Sequence, residues 1–189
     1  MNKAFVKDDD HWDDPEIELD PQAGIPPGSR NYMTPRGADR LRNELDRLMH
    51  HDRVHLLASI NSLDHQNNSR DDAAHREARK NLQRLERRIA FLTGRLELTE
   101  VVDPVKQQGD TVRFGATVTV QPEDGPQMQY LIVGLDETDV NLGRISWTSP
   151  LARSMLNGRA GDVVKVRKPG GEENLEIVEV RYREIEPGG

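Results

Sequence analysis

The sequence predicts an α+β protein: a long antiparallel α-helical hairpin followed by a small, mainly antiparallel β domain with one short helix. Three observations predict it. Apolar residues recur at steps of three and four between Thr34 and Val102. Beyond Asp103-Pro104 the period drops to two. Between the two helical runs, Asp64 to Asp72 holds almost nothing that could join a core, so the seam closes and the tip is left to water or a partner.

The first arm opens at Thr34-Pro35. Threonine can cap the exposed amides of a helix start, and proline at the first helical position loses no needed donor. Tyr32 or Met33, just ahead of the cap, can pack back onto the first turn. The apolar face is Leu41, Leu45 and Leu48, then Leu56, Ile60 and Leu63. The eight-residue step from Leu48 to Leu56 breaks the heptad and predicts a local change in winding. Run from Pro35 to about Asn67, this arm is roughly 50 Å long, a rod that a single globular core does not need. Asn67-Asn68-Ser69 then reverses the chain, because asparagine tolerates left-handed backbone and serine can cap the next helix. Asp71 and Asp72 fall in the first turn of the second arm, where the helix dipole favours carboxylates whether or not they have a further role. That arm repeats Leu82, Leu85, Ile89, Leu92 and Leu96, which keeps one seam facing a partner helix as in a coiled coil.

In the second domain, Ala116 to Val120 alternates, Glu123-Asp124-Gly125-Pro126 turns, and Met128 to Val133 returns. Arg144 to Trp147 forms another short strand. Ser149-Pro150 repeats the cap-plus-proline start of a short helix, which ends near Asn157-Gly158. Val163 to Val166 and Leu175 to Val180, joined through Pro169-Gly170-Gly171, complete the sheet. The expected organisation is therefore an acidic tail and linker over 1–29, a coiled-coil domain over 30–103, and an α+β domain over 104–189.

The chain has 189 residues, 34% of them hydrophobic and 31% charged, which suits a coiled coil with one modest core. It contains no cysteine, so disulfides and thiolate metal sites are excluded and a reducing compartment is expected. No apolar run approaches membrane-spanning length and no signal-peptide core is present, so the expectation is a cytoplasmic, monomeric protein with no membrane partner.

The formal charge of −7 is unevenly distributed. Residues 1–29 carry eight carboxylates (Asp8, Asp9, Asp10, Asp13, Asp14, Glu16, Glu18 and Asp20) against Lys3 and Lys7, a net of −6. With prolines and glycines from Pro21 to Gly28, this head is expected to be a disordered, solubilising tail and linker, or else a shield for a basic surface. Such a surface exists between Arg76 and Arg95, where seven basic residues face Glu77 and Glu86, a net of +5. Arg76, Arg79, Lys80, Arg84 and Arg87 follow three- and four-residue spacing along one side. A solvated helix face is the ordinary account of such a run. Its few compensating acids give more weight to a polyanion or an acidic protein groove.

As a catalytic body the second domain looks empty: no triad, no glycine-rich phosphate loop after a strand, and no ligand cluster. His51 and His55 have the spacing of a metal pair, with His50 and Asp52 adjacent, but no third strong ligand accompanies them and a solvated face is the simpler account.

With these elements placed, the chain resembles the bacterial Gre transcript-cleavage factors, closest to the GreB branch, over residues 29 to 183. The opening is carried by Tyr32-Met33-Thr34-Pro35-Arg36-Gly37 with Leu41, Glu44 and Leu45. Arg79-Lys80-Asn81-Leu82, Arg87-Arg88-Ile89 and Phe91-Leu92-Thr93 resemble the family's second arm. Val102-Asp103-Pro104 and Phe114 to Val118 match the junction and first strand. Ile145 to Arg153 and Gly161-Asp162 to Glu172 finish the pattern. Any one of these is weak; their order and spacing are not.

The resemblance implies an FKBP-like fold for the C-terminal domain, docked at the rim of RNA polymerase's secondary channel through the segment around Ser149 and Pro150. It implies that the coiled coil enters the channel, with the nascent RNA 3′ end and the channel wall facing the basic side. Tip residues there approach the polymerase's catalytic Mg²⁺, help hold a second Mg²⁺ and orient a water, so that the polymerase cleaves backtracked RNA. The implied function is thus a polymerase-binding elongation factor with no metal of its own and no enzymatic activity of its own. The alternative is a non-cleaving, channel-occupying regulator. The family tip reads Gly-Asp-x-x-Glu-Asn-Ala-x-Tyr; counting back from Leu82 without gaps, this chain has Asn67-Asn68-Ser69-Arg70-Asp71-Asp72-Ala73-Ala74-His75. Asn68 stands in place of the first metal-facing acid, Asp71 in place of glutamate, Asp72 in place of asparagine and His75 in place of tyrosine. Thr148 precedes Ser149-Pro150 where the family usually has an acid. An FKBP-like domain also raises proline isomerisation, but such pockets need several aromatics, and this domain offers Phe114, Tyr130, Trp147 and Tyr182, partly as core.

Overall fold

The computed structural model describes residues 19–66, 73–168 and 171–183. It is a mixed α+β fold, and its residues divide into two compact units: Met1–Ala23 with Arg40–Glu97, and Gly24–Asp39 with Leu98–Gly189.

The helix α1 (Pro35–Arg47), which enters the helical unit at Arg40, continues through a π-helical turn at Leu48–Asp52 into α2 (Arg53–Gln66), and α3 (Ala73–Glu97) returns. Cross-arm pairs run in reversed order, which fixes the antiparallel sense. Arg88 Nε donates to Glu44 at 2.7 Å, Arg53 Nη2 to Glu86 at 3.2 Å, and His75 Nε2 lies 2.7 Å from Asp64 Oδ1. The seam buries Leu41, Leu48, Ile60 and Leu92, with Leu45, Leu56, Leu63, Leu82, Leu85, Ile89 and Leu96 half-buried. The π-turn sits where the eight-residue step begins, and its Arg53 N–H bonds Leu48 O, five residues back. An i→i+5 turn takes up one extra residue per turn, so the seam resumes on the same face at Leu56.

The second unit holds a five-stranded sheet in the order β5-β4-β3-β7-β6. Its strands are β3 (Thr117–Pro122), β4 (Met128–Val133), β5 (Arg144–Ser146), β6 (Val163–Lys168) and β7 (Gly171–Arg181). All neighbours are antiparallel except β4 and β5. Alternation along β3 buries Val118 and Val120, which face Val180 and Ile177 across the β3–β7 ladder, with a bulge between Thr119 and Val120. The helix α4 (Pro150–Met155) contributes Ala152 and Met155 to the same core, beside Val112, Ile132, Val166 and Leu175.

Two short strands add to this unit: β1 (Asn31–Met33) pairs in parallel with β2 (Thr99–Val101). Residues 24–39 therefore group with the sheet, although the sequence divides them between linker and hairpin. The segment expected to be a linker forms successive turns, with Ala23 N–H on Asp20 O and Ser29 N–H on Pro26 O, both at 3.0 Å. The strongly acidic part of the head, residues 1–18, lies outside the described residues.

Candidate functional site

The basic residues of α3 divide by what they touch. Arg76, Arg79 and Lys80 are exposed, and Arg84 and Arg87 half-buried. At about 100° per residue this group lies opposite the Leu82–Leu96 seam. Arg84 Nη1 donates to Asn81 Oδ1 at 3.0 Å and stands 3.8 Å from Glu77, so one of the two acids in the run partly offsets the stripe. Arg88 turns toward Glu44 on the other arm, with its guanidinium 5.4 Å from the Phe91 ring.

At the far end of the arms, His75 is only 3% exposed. Its Nε2 meets Asp64 on α2, while Nδ1 is buried without a hydrogen-bond partner among the described residues. This pair joins α2 to the first turn of α3 and engages the Asp64 carboxylate. Asn68, Asp71 and Asp72 themselves lie outside the described residues.

In the sheet unit, Ser149 caps α4: its Oγ accepts from Ala152 N–H at 3.1 Å, with Pro150 following at the first helical position. Pro150 is exposed and Ser149 half-buried. Thr148 turns inward, its Oγ1 2.8 Å from Ser146 Oγ. The aromatics serve packing. Tyr32 meets Trp147 edge-on at 5.3 Å and Phe114 at 6.0 Å. Tyr182 donates to Thr111 O at 2.7 Å and accepts from Arg113 N–H at 3.0 Å; burial raises its pKa, partly opposed by that N–H and the Arg113 charge. The His51 and His55 rings meet at 4.5 Å, tilted by 56°, on an exposed face, and no group of three metal-ligating side chains occurs among the described residues.

Two residues outside the sequence-derived candidates organise these surfaces. Arg95, 5% exposed, donates from Nη1 to Pro21 O at 2.7 Å and Ala23 O at 2.9 Å. Glu137 accepts from Thr34 N–H at 3.0 Å, Gly134 N–H at 3.1 Å and the Thr34 hydroxyl. The sequence does carry a signal for the first: Gly94 interrupts a helix, where glycine costs about 1 kcal/mol unless a close approach needs it. For Glu137 nothing local distinguishes it from any other loop acid.

Two family models match the chain. "Transcription elongation factor, N-terminal" covers residues 31–101, and "Transcription elongation factor, GreA/GreB, C-term" covers 106–182. Transcription elongation factor GreB of Neisseria meningitidis serogroup B is 37% identical over 159 residues, 84% of this chain and 98% of that protein. Transcription elongation factor GreA of Alkalilimnicola ehrlichii is 40% identical over 157 residues, 82% and 99% of the two chains. Among solved structures, GreA factor homolog 1 (Gfh1) of Thermus thermophilus covers 80% of this chain and 99% of its own, at 22% identity and a TM-score of 0.38.

Proposed function

The chain belongs to the GreA/GreB family of transcription elongation factors, and from that premise we propose that it binds RNA polymerase and stimulates cleavage of backtracked RNA by the polymerase itself. The observation that carries this reading is the pair of family matches, which together span nearly all of residues 31–182. In this reading the antiparallel arms are a coiled-coil hairpin that enters the secondary channel. The FKBP-like sheet unit docks at the rim through the Ser149-Pro150 helix start. The protein acts as a cytoplasmic monomer and is not an enzyme in its own right.

The tip donors suit a hard cation. Asp71 and Asp72 offer carboxylate oxygens and Asn68 an amide oxygen, and oxygen ligands of this kind fit Mg²⁺. These residues would help hold a polymerase-bound Mg²⁺, which supplies charge stabilisation for phosphodiester hydrolysis. The chain's own contribution is to place those oxygens: the His75–Asp64 pair sets the spacing of the arms from which the tip departs. Asn68 contributes no negative charge, and in a poorly hydrated channel a missing charge weighs more than it does in water. The stripe Arg76, Arg79, Lys80, Arg84 and Arg87 faces the channel wall or the RNA 3′ end.

That neutral Asn68 is the one observation favouring the second reading, a regulator that occupies the channel without promoting cleavage. Cleavage of a defined backtracked complex separates the two. The proposal expects faster RNA shortening with the wild type, a loss with Asp71→Ala, and a gain with Asn68→Asp. Unchanged shortening together with slower nucleotide addition establishes the second reading. Failure of the immobilised protein to retain core polymerase refutes both.

A further inference from the structure

The chain carries an addition that the family matches do not cover: both begin after residue 30, and the acidic head precedes them. Its attachment is built, not loose. The Pro21 ring lies on Gly94 of α3 so closely that a Cβ there would come within 2.7 Å of it. The neighbouring Arg95, almost wholly buried, grips the carbonyls of Pro21 and Ala23. The path of the chain upstream of Pro21 therefore starts on the surface of the second arm.

The starting point matters because of what lies in line with it. At about 100° per residue, Arg87 is rotated about 20° from Gly94, Lys80 about 40°, and Arg76 falls back on the same azimuth. Pro21 is thus clamped at one end of the stripe that carries the net positive charge of the arm. From Gly94 to Arg76 the stripe is about 27 Å long. The thirteen residues from Asp8 to Asp20 reach about 43 Å when extended, so they span it with slack. They hold all eight head carboxylates, against the +5 of residues 76–95. A tethered segment of this length also presents itself at an effective concentration on the order of millimolar, so weak individual pairs suffice.

We propose that residues 8–20 lie along the Arg76–Arg87 stripe of α3 in the same molecule and screen it from other polyanions. The occupant is this segment of the chain itself, selected by charge and delivered by the Pro21 clamp. Nucleic acid or an acidic protein surface gains the stripe by displacing it, so the head sets a threshold for engagement.

The absence of cysteine makes the test direct. A nitroxide on His11→Cys, which keeps every head carboxylate, should broaden the amide signals of residues 76–88 at about 50 mM salt. It should release them near 0.5 M, where charges are screened within a few ångströms. Broadening that is absent, spread evenly over the molecule, or produced only by a labelled second molecule mixed with unlabelled protein overturns the proposal. Binding of a fluorescent ten-nucleotide RNA gives an independent reading. Converting Asp8, Asp9, Asp10, Asp13 and Asp14 to asparagine should tighten binding about tenfold at low salt, with the two curves converging as salt rises. Equal affinity at low salt overturns it as well. Neither measurement contains polymerase, so the result bears on the head whatever the outcome of the cleavage assay.

Discussion

Glu137→Ala should be among the most damaging single substitutions in the sheet unit. The side chain accepts three hydrogen bonds, from Thr34 N–H, the Thr34 hydroxyl and Gly134 N–H. Thr34 is 1% exposed, so truncation strands its donors away from water. Stranded buried donors cost about 1–3 kcal/mol each. Glu137 itself is half-buried, and water entering the vacated space recovers part of the loss. The net expectation is about 3 kcal/mol, or roughly 10–20 °C in Tm for a unit of this size. Glu137→Gln separates hydrogen bonding from bulk: its amide oxygen can still serve Thr34 and Gly134 N–H, while the Thr34 hydroxyl, which also accepts from Gly37 N–H, loses the acceptor for its proton. That variant should lose about 1 kcal/mol, clearly less than the alanine variant. Urea unfolding followed through Trp147 fluorescence in the same unit reads both. If Ala and Gln lose equal stability, or Ala loses less than about 0.5 kcal/mol, the carboxylate is not what holds residue 34 and the reasoning fails.

Three further outcomes follow from the geometry. Tyr182 keeps its proton in the folded chain beyond the pH at which the unfolded chain releases it, because burial raises its pKa. Its contribution to stability is therefore complete below about pH 10 and is lost as pH climbs through the raised folded value; Tyr182→Phe should flatten that alkaline slope in unfolding curves while costing about 1 kcal/mol at neutral pH through two lost bonds. His75→Ala should speed amide exchange about tenfold in residues 60–66 and 73–79 at the end of the arms, leaving β3 and β7 unchanged, because the buried His75–Asp64 pair is local. Ser149→Ala should cost about 1 kcal/mol in a urea titration by removing the cap of α4, whereas Ser149→Thr should cost little.

The sheet was legible because each of its main strands is long enough to show a period. Thr117–Pro122 alternates half-buried and buried at every position, as its sequence does. The π-turn was legible too, since an apolar stripe that skips a residue and then resumes must be accommodated by winding. The β1–β2 pair was not. Three residues cannot display alternation, and Asn31 and Thr99, which meet in the folded chain, stand 68 positions apart in sequence. Thr34-Pro35 does open the first arm, with Thr34 Oγ1 accepting from Gly37 N–H at 3.1 Å, yet this opening groups with the sheet unit, where Glu137 holds Thr34. Gly37 is required there because any Cβ would run into the Glu137 carboxyl group.

The candidate site shows the same division between what charge patterns reveal and what contacts decide. The spacing of Arg76, Arg79, Lys80, Arg84 and Arg87 marked a common side, and the helix places it opposite the apolar seam. The same composition could not distinguish Arg95, which is almost wholly buried, from Arg84, Arg87 and Arg88, which are half-buried, or from Arg76, Arg79 and Lys80, which are exposed. Arginine is suited to this clamp because its several N–H groups let one nitrogen serve two carbonyls without leaving the helix surface. Lysine at 95 would keep the charge and enough donors on one nitrogen, but not the planar guanidinium that fixes the directions of the two N–H groups, so the clamp draws on arginine geometry as well as charge. A basic run on a helix therefore contains two kinds of residue that composition merges: exposed cations on the side away from the seam, and one buried arginine that holds the backbone of residues 21–23.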